Sequence, residues 1–505
     1  MPTLDDLLKA IKASGKQPGS RIPVIGNLRR NRQTVDLDMV KLAFEYAQEA
    51  HRGQTRKSGG PYIEHCLATA ITLAQMGMDQ ETIIAGLLHD VPEDTAFSLV
   101  DIEKNFGSEV ATLVAGITKL GKIKYRGIER YSENLRKMFI SMAQDIRTIV
   151  IKMADRLHNL ETLQYLPAKK QRRIAEESLE IYAPIADRLG MGQIKGEIED
   201  QSFPYVNPEA FEWMQREILP KVELKKEYIE RVIKVLAKEL ADKKLKVVSI
   251  SGRPKRIYSL YHKLLKAPYD RDVSKIYDLV AARVIVPSVA DCYHVLGIVH
   301  QLWKPLRGRV KDFISQPKPN GYRSLHTTVF GPEGKIVEIQ IRTPQMHAQA
   351  EYGIAAHWYY KEAGDRANWR RIGDRGHTLP KKLKWIEDLV SWQKEISDSQ
   401  LYLTSLTLDA FGNRIFVFTP KGDVIDLPEA ATPVDFAYHV HTFIGDHCAG
   451  ARINNQLVSL DTALKSGDVC EIITDKNRKG PSRDWLRFAK TTAAKAKIRA
   501  NAPRR

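Results

Sequence analysis

Residues 86–94 read Gly-Leu-Leu-His-Asp-Val-Pro-Glu-Asp, so an apolar run from Ile83 ends in four ionisable groups: His89, Asp90, Glu93 and Asp94. Apolar neighbours place such a run in a core. Charges at its buried end are costly unless something pairs them, and a divalent metal suits a His-Asp doublet. The doublet alone occurs often by chance; its weight comes from two other segments. Arg-Lys-Ser-Gly-Gly-Pro-Tyr-Ile-Glu-His carries Arg56 and His65, and Ile-Lys-Met-Ala-Asp-Arg-Leu-His-Asn-Leu carries Asp155 and Asn159. The last two are four apart in a helical pattern and face one side. His65, His89, Asp90 and Asp155 make a two-His, two-Asp set. Mixed nitrogen and oxygen ligands suit Mn, Fe or Zn, and oxygen-rich sets lean to Mn. Arg56, Glu93, Asp94 and Asn159 remain for a polyanionic substrate and a water. Singly, each residue reads better as a helix-end charge or a satisfied core histidine. Together, the three segments favour the metal.

A second chemistry begins at Val247. Val-Val-Ser-Ile reads as a strand that Gly252 breaks. Arg253, Lys255 and Arg256 then cluster at a helix start, where backbone N–H groups and the helix dipole favour phosphate. Residues 276–286 form an apolar strand with Asp278 near its mouth. Residues 335–342 alternate, with Val337, Ile339 and Ile341 on one side and Glu338, Gln340 and Arg342 on the other. A hairpin turn at 331–334 precedes them. Two strand carboxylates, Asp278 and Glu338, opposite a basic loop can hold Mg²⁺ and a triphosphate; a solvated strand face is the plain alternative for Glu338. The loop is read over Gly308 to His326. In it Tyr322 would stack on a base, with Arg309, Lys311, Lys318 and His326 on phosphates. A tyrosine packing its own loop is the rival reading. Gly116 to Lys122 has Walker A spacing, but Ile123 stands where Ser or Thr must meet Mg²⁺.

The elements that must hold these residues follow from periodicity. Residues 36–200 read as almost wholly helical, with 3.6-period apolar faces over 37–51, 81–88, 102–120, 132–142 and 169–189. Pro92 restrains Val91, so the helix bearing His89 is expected to end by Val91. Gly121 to Tyr131 reads as a basic loop. Pro204 and Pro208 mark a break, and 201–245 reads as a linker of charged helices. Residues 346–402 read as a helical connector bearing Trp358, Trp369, Trp385 and Trp392, and short strands and turns follow from Leu403.

The chain has 505 residues, 43% apolar and 28% charged, and a formal net charge of +17. That length suggests about three domains. The basic excess suits nucleotides, RNA or acidic surfaces. The four cysteines (Cys66, Cys292, Cys448, Cys470) are scattered, which argues against a disulfide framework or zinc knuckle. No apolar run has membrane-spanning length and no secretory signal opens the chain, so a cytoplasmic location without membrane is expected. Residues 475–505 hold eleven Lys/Arg against two Asp, and read either as an RNA-binding stretch or as a solvated tail.

The segments at 50–54, 56–59, 87–90, 93–95, 133–138 and 154–159 resemble the HD-type hydrolase domain of the RelA/SpoT homologues, which make and destroy guanosine tetra- and pentaphosphate. Gly-Arg-Pro-Lys, Tyr-Asp-Leu, Pro-Asn-Gly-Tyr-Arg-Ser-Leu-His, Glu-Ile-Gln-Ile-Arg-Thr and Ala-Glu-Tyr-Gly-Ile-Ala-Ala-His-Trp resemble the same family's synthetase domain. Residues 403–475 resemble its TGS domain. The resemblance implies three parts: an all-α hydrolase domain over 36–200 behind an extension (1–35), an α+β nucleotidyltransferase-like domain with a mixed sheet over 246–345, and a small β-grasp TGS module before a basic tail (476–505). It implies Mn²⁺ on His65, His89, Asp90 and Asp155, with Glu93 and Asp94 serving the attacking water and Arg56 and Asn159 the substrate. It implies Mg²⁺ on Asp278 and Glu338, with Glu338 alternatively taking the 3′-hydroxyl proton. Arg253 and Lys255 would serve ATP and Tyr322 would stack on guanine, with Asn320, Arg309, Lys311, Lys318 and His326 among the substrate-binding residues. His439 sits where a tRNA contact would fall, with a structural helix histidine as the equal alternative. Deacylated tRNA is thus a candidate partner through the TGS domain and tail. The family's long members continue into further regulatory domains, so stable ribosome binding is not expected of a chain stopping here. Cys66 stands where the family usually has Pro, Pro92 replaces an apolar residue, Arg256 stands where His is frequent, and 266–275 departs from the family's basic signature. The rival expectations are a single-activity enzyme and an RNA-binding regulator with vestigial sites.

Overall fold

The computed structural model describes residues 2–14, 35–118, 128–266, 269–276, 279–318, 320–356, 386 and 414–503. Its helices begin where polar side chains cap exposed amides. Asp36 accepts from the amides of Asp38 and Met39 to open α2 (Leu37–Ala50), and Asp79 accepts from Thr82 to open α4 (Gln80–Leu88). Around them lie α1 (Leu4–Ser14), α3 (Ile63–Gln75), α5 (Val91–Asp94), α6 (Leu99–Thr118) and α8 (Arg147–Glu161); in sequence α7 (Ile128–Gln144) comes between α6 and α8. Every residue of α4 from Thr82 to Leu88 is buried. At Gly86 a Cβ would collide with Leu73 of α3, so α3 and α4 approach as closely as glycine allows. That contact fixes the spacing between His65 and His89. Arg147, 2% exposed, holds the N-terminus of α8 to the start of α4 and to α6 through Asp145, Asp79 and Glu109 at 2.6, 3.1 and 2.8 Å. A buried guanidinium paired on three sides is costly to break, because the partners would be left charged in the core.

The chain continues through α9 (Ala168–Glu177), a π turn (Ser178–Tyr182), α10 (Ala183–Arg188) and α11 (Gly192–Val206). Pro204 lies inside α11, so the break expected there falls only at Asn207, which caps α12 (Pro208–Trp213). A second π turn (Met214–Ile218) leads into α13 (Leu219–Asp242).

A five-stranded mixed sheet follows, ordered β1-β2-β5-β4-β3, with β2 and β5 parallel and the other pairs antiparallel. Its strands are β1 (Ser249–Pro254), β2 (Val280–Ile285), β3 (Pro305–Asp312), β4 (Leu325–Phe330) and β5 (Ile336–Arg342); its helices are α14 (Ile257–Leu264), α15 (Val289–Leu302) and α16 (Pro344–Tyr352). Val337, Ile339 and Ile341 join Ala282 and Val284 in a core shared with α13, α14 and α15. Three local readings change. Strand β1 runs through Gly252, so Arg253 is on a strand and only Arg256 adjoins the helix start. Arg309 and Lys311 lie on β3 and His326 on β4, so the loop is only the stretch between those strands. Both faces of β5 are covered, with Gln340 and Arg342 buried at 8% and 0%, which removes the solvated-face reading of this strand.

The hydrolase-like and synthetase-like halves lie in one compact unit. Helix α11 packs against α8 on one side and against α14 and α16 on the other. The turn at Gly353 (φ 55°) meets that at Gly190 backbone to backbone, and the Ile354 amide donates to the Leu189 carbonyl at 2.9 Å.

The second unit, described by itself, has the hairpin β6–β7 (Arg414–Phe418, Val424–Pro428) and helices α17 (Pro433–Val440) and α18 (Thr442–Asp446). A sheet ordered β10-β8-β9 is built from β8 (Cys448–Ile453), β9 (Gln456–Val458) and β10 (Cys470–Thr474), with a parallel bridge from Phe418 to Val469. The basic C-terminal stretch is folded against this module rather than solvated. Trp485, Ala489, Ala494 and Ile498 are buried with Val434, Tyr438 and Cys448, and α19 (Thr492–Asn501) completes the layer. Asp435, 1% exposed, ties the two together by accepting from the amides of Lys490 and Thr491 while closing the capping box with Thr432. Among the described residues, no helix is long and apolar enough to cross a membrane.

Candidate functional site

Helix α4 ends at Leu88, before Val91 as the proline argument expected, and His89 and Asp90 form the turn into α5. Pro92 sits in the first turn of α5, where its missing amide is no loss. This turn delivers His89 and Asp90 to His65 on α3 and Asp155 on α8. His65 Nε2 lies 3.4 Å from Asp90 Oδ2 and 3.2 Å from Asp155 Oδ1; His89 Nε2 lies 3.3 Å from Asp90 Oδ1 and 4.0 Å from Asp155 Oδ1. All four residues predicted as ligands therefore converge.

The surrounding hydrogen bonds decide which nitrogens face the centre. His89 Nδ1 donates to the Gly86 carbonyl at 2.9 Å, leaving Nε2 bare, buried and without a hydrogen-bond partner among the described residues. Arg56, always charged, donates to His158 Nδ1 at 3.0 Å, so that atom is an acceptor; His65 Nδ1 lies 2.8 Å from it, which turns His65 Nε2 toward Asp155 and Asp90. Burial first, then the charges of His65 and Arg56, push His158 down to about 3, which keeps it neutral. Burial works against ionised Asp155, yet Lys152 and the two histidines hold its carboxyl well below the usual range. Two imidazole nitrogens and two carboxylates are aimed at one point, and the carboxylates attract positive charge there. The donor set fits a divalent metal.

The substrate-side residues flank this centre. Arg56 donates to Asn159 Oδ1 at 2.7 Å, and Asn159 donates back to Asp155. The Tyr62 hydroxyl lies 2.9 Å from both Asp90 Oδ2 and Asp94 Oδ2, so it ties the metal group to α5. Glu93 lies beside Asp94 on α5, partly buried. Tyr62, Lys152 and His158 were missed in the sequence. His158 and Lys152 each stand three positions from Asp155, a spacing that puts all three on one helix face.

Strand register builds the second group. Arg253, Ala281, Glu338 and Thr328 stand in one row across the sheet, and Arg283, Gln340, His326 and Lys311 in the next. These rows share the face opposite the apolar core. Glu338 Oε1 accepts from Gln340 Nε2 at 2.9 Å and lies 3.5 Å from His326 Nδ1. Burial, then the cations Arg342, Lys318, Lys311 and Arg253, push His326 down to about 3, so it is neutral. Its Nε2 meets the Tyr322 hydroxyl at 2.8 Å. The Tyr322 ring has Lys318 Nζ 5.4 Å and the Arg342 guanidinium 5.9 Å from its centroid, so a base stacking there must displace one of them. Asn320 turns the other way and donates to the Asp187 carbonyl at 3.4 Å. Arg309 is exposed, and Lys255 is half-buried with its amide on the Leu279 carbonyl. Asp278 lies outside the described residues, as do Trp358, Trp369, Trp385, Trp392 and most of the basic loop at 121–131.

Arg283 and Arg342 were also missed. Arg342 is fully buried, and none of its three guanidinium nitrogens has a hydrogen-bond partner among the described residues. Glu351 lies 3.2 Å from Arg283 and 3.8 Å from Arg342. One carboxylate for two buried guanidiniums leaves a net positive pocket. His439 is exposed on α17, near its C-terminus.

A helical domain closed around a two-His, two-Asp cluster, a mixed sheet with a cationic face and a small β module define a multidomain protein that pairs an HD-type domain with a nucleotidyltransferase-like one. Profiles for the HD domain, for a region found in RelA/SpoT proteins and for the TGS domain match residues 43–192, 252–365 and 415–474. The chain belongs to the RelA/SpoT homologue family. It is 47% identical to a GTP pyrophosphokinase of Streptomyces antibioticus over 99% of its own length and 58% of that protein's. Against the bifunctional (p)ppGpp synthase/hydrolase RelA of Mycobacterium tuberculosis the identity is 45%, over 94% and 64%. Against a guanosine-3′,5′-bis(diphosphate) 3′-pyrophosphohydrolase of Aquifex aeolicus it is 44%, over 91% and 64%. The chain thus spans a little over half the length of the first of these relatives. Among solved structures, small alarmone synthetase 2 of Bacillus subtilis aligns with 36% of this chain and all of its own at 22% identity and a TM-score of 0.24. Hydrolase and pyrophosphokinase domains of these kinds use divalent metal.

Proposed function

We propose that this chain is a bifunctional alarmone enzyme acting in the cytoplasm. It would transfer a pyrophosphoryl group from ATP to the 3′-hydroxyl of GDP or GTP, giving (p)ppGpp and AMP. It would also hydrolyse the 3′-pyrophosphate of (p)ppGpp to GDP or GTP and pyrophosphate. The observation that carries the reading is the bare, buried Nε2 of His89 at the meeting point of His65, Asp90 and Asp155, in the same unit as a cationic sheet face with one embedded acid.

In the hydrolytic site His65, His89, Asp90 and Asp155 would hold Mn²⁺. A divalent ion there supplies Lewis-acid charge and a nucleophile at neutral pH. Arg56 and Asn159, joined at 2.7 Å, would bind the substrate's phosphates and ribose. Glu93 and Asp94 would position the attacking water and take its proton. Tyr62 keeps Asp94 oriented through its hydroxyl. In the synthetic site Asp278 and Glu338 would hold Mg²⁺, with Arg253 and Lys255 on ATP and Lys311, Lys318, Arg309, Asn320 and His326 on the acceptor nucleotide. Tyr322 would stack on guanine. The 3′-hydroxyl oxygen attacks the β-phosphorus, the α–β bridging bond breaks and AMP leaves; where Glu338 serves as the base rather than as a Mg²⁺ ligand, the hydroxyl proton passes to it. Phosphoryl transfer of this kind is positioning plus charge neutralisation. The domain limits read from the sequence (36–200, 201–245, 246–345, 346–402, 403–475) are proposed with it.

A paired assay tests this. ATP, GDP and Mg²⁺ should yield alarmone, and guanosine tetraphosphate with Mn²⁺ should be consumed. Glu338→Gln should silence only the first tube and Asp90→Asn only the second. One silent wild-type tube would make this a single-activity enzyme. For the second unit, the exposed Arg483, Arg487, Lys497 and Arg499 on the folded C-terminal layer support RNA phosphate contact alongside His439. Binding of deacylated tRNA that weakens steeply with salt would uphold that, and no binding would remove it.

A further inference from the structure

Cys66 follows the ligand His65 on α3 and is fully buried. Its Sγ, a His89 ring nitrogen and an Asp90 carboxylate oxygen all lie within 4.8 Å of one another, a spread a metal ion can gather with sub-ångström side-chain shifts. The Gln54 side-chain amide donates to the Asp94 carbonyl at 2.7 Å, which fixes its oxygen toward His51 Nδ1 at 2.8 Å. His51 Nδ1 therefore donates, and its bare Nε2 lies 3.9 Å from Cys66 Sγ. His51 is itself held flat against the Tyr62 ring, with centroids 4.6 Å apart. The thiol is thus placed between a proton acceptor and the metal cluster.

We propose that Cys66, His89 and Asp90 form an alternative ligand set, which recruits a thiolate when the ion is thiophilic, such as Co²⁺, Zn²⁺ or Cd²⁺. As the sulfur–metal bond forms, the thiol proton passes to His51 Nε2, so charge and atoms balance without another reactant. Soft sulfur favours these ions, whereas Mn²⁺ gains little from it and stays on the nitrogen and oxygen ligands. The two sets share His89 and Asp90, so a thiophilic ion displaces Mn²⁺ rather than joining it. The inference rests on the reading of His65, His89, Asp90 and Asp155 as a metal site.

The test is a titration of the metal-free full chain with Co²⁺, read by absorption, beside Mn²⁺ release read by electron paramagnetic resonance. Wild type should develop a near-ultraviolet thiolate-to-cobalt charge-transfer band, and Cys66→Ala should lack it while Cys292→Ala keeps it. Cys66→Ala should weaken Cd²⁺ binding by at least about tenfold and change Mn²⁺ binding by less than about twofold. Cys66→Ser serves the same comparison if the alanine variant does not fold. Co²⁺ bound without the band, or a band that survives loss of Cys66, would overturn the inference and leave the metal site intact. No divalent binding at all would overturn both.

Discussion

In the helical half, four ligand groups face one another across 3.2–4.0 Å and lack only positive charge. On the sheet half the excess has the opposite sign. Arg253, Arg283, Arg342, Lys311 and Lys318 surround two acids, Glu338 and Glu351, and Arg342 is buried with no hydrogen bond among the described residues. The first arrangement suits a small cation that then meets an anionic substrate. The second suits a polyanion that brings its own cation. Each half carries a charge imbalance that the bare fold must tolerate and a ligand removes. Removing the imbalance should therefore act oppositely on function and on stability.

The largest effect is expected in the helical half. Asp155→Asn removes a ligand and leaves Lys152, 2.5 Å from the carboxylate, without its counter-charge. Hydrolysis should fall by about 10²- to 10³-fold with loss of Mn²⁺ binding, while synthesis stays within about threefold. Single-turnover hydrolysis beside initial-rate synthesis reads both. Equal loss of the two activities would mean that the sites are not separable in this way.

The sheet half supplies the sharper contrast. Arg342→Met replaces a fully buried guanidinium, which has no hydrogen bond among the described residues, with an apolar chain of similar length and leaves Glu351 paired to Arg283 at 3.2 Å. The folded protein should gain about 1–2 kcal/mol in denaturant unfolding. Synthesis should drop by about 10²-fold, because a preorganised donor for phosphate has gone. A variant that loses stability would show that Arg342 is structural, held by something beyond the Glu351 contact.

These differences also explain what could be read in the chain. The four ligands were legible because each falls in a short segment whose helical spacing or helix-end position fixes its direction: Asp155 and Asn159 share a face at four residues, and His89 and Asp90 follow a run too apolar to be exposed. Arg342 and Arg283 were hidden because strand alternation assigns a face without saying whether that face is covered. Only the register of β5 between β2 and β4, set by residues far apart in sequence, buries them. The same non-local packing turned one proline argument around and gave the other proline a second use. Pro92 restrains local backbone as expected, but the chain uses it to start α5, and α11 keeps Pro204 within its span. The basic C-terminal run looked like a tail because its buried side chains, such as Trp485 and Ile498, are spread among cations.

Helix α11 lies between the two halves and offers the smallest test. Glu199 on this helix is 14% exposed, and Lys195 reaches it only at 3.8 Å. Burial pushes its carboxyl up to about 7; Lys195 opposes that, and Asp187 and Asp200 reinforce it. A folded value above the unfolded 4.5 means that the native state binds more protons between those limits. The stabilisation is full below pH 4.5 and is lost as pH rises through about 7. The loss from this one group is roughly 3 kcal/mol. Glu199→Gln cannot titrate, so its unfolding free energy should decline less steeply than wild type across that window, and the two curves should run parallel above it. Asp200, also raised by burial, has the same sign and remains in both proteins, so the difference between the curves isolates Glu199. Curves that stay parallel from pH 4.5 to 7 would mean that the helix between the two halves carries its charge at all times, and that neither half feels a proton there.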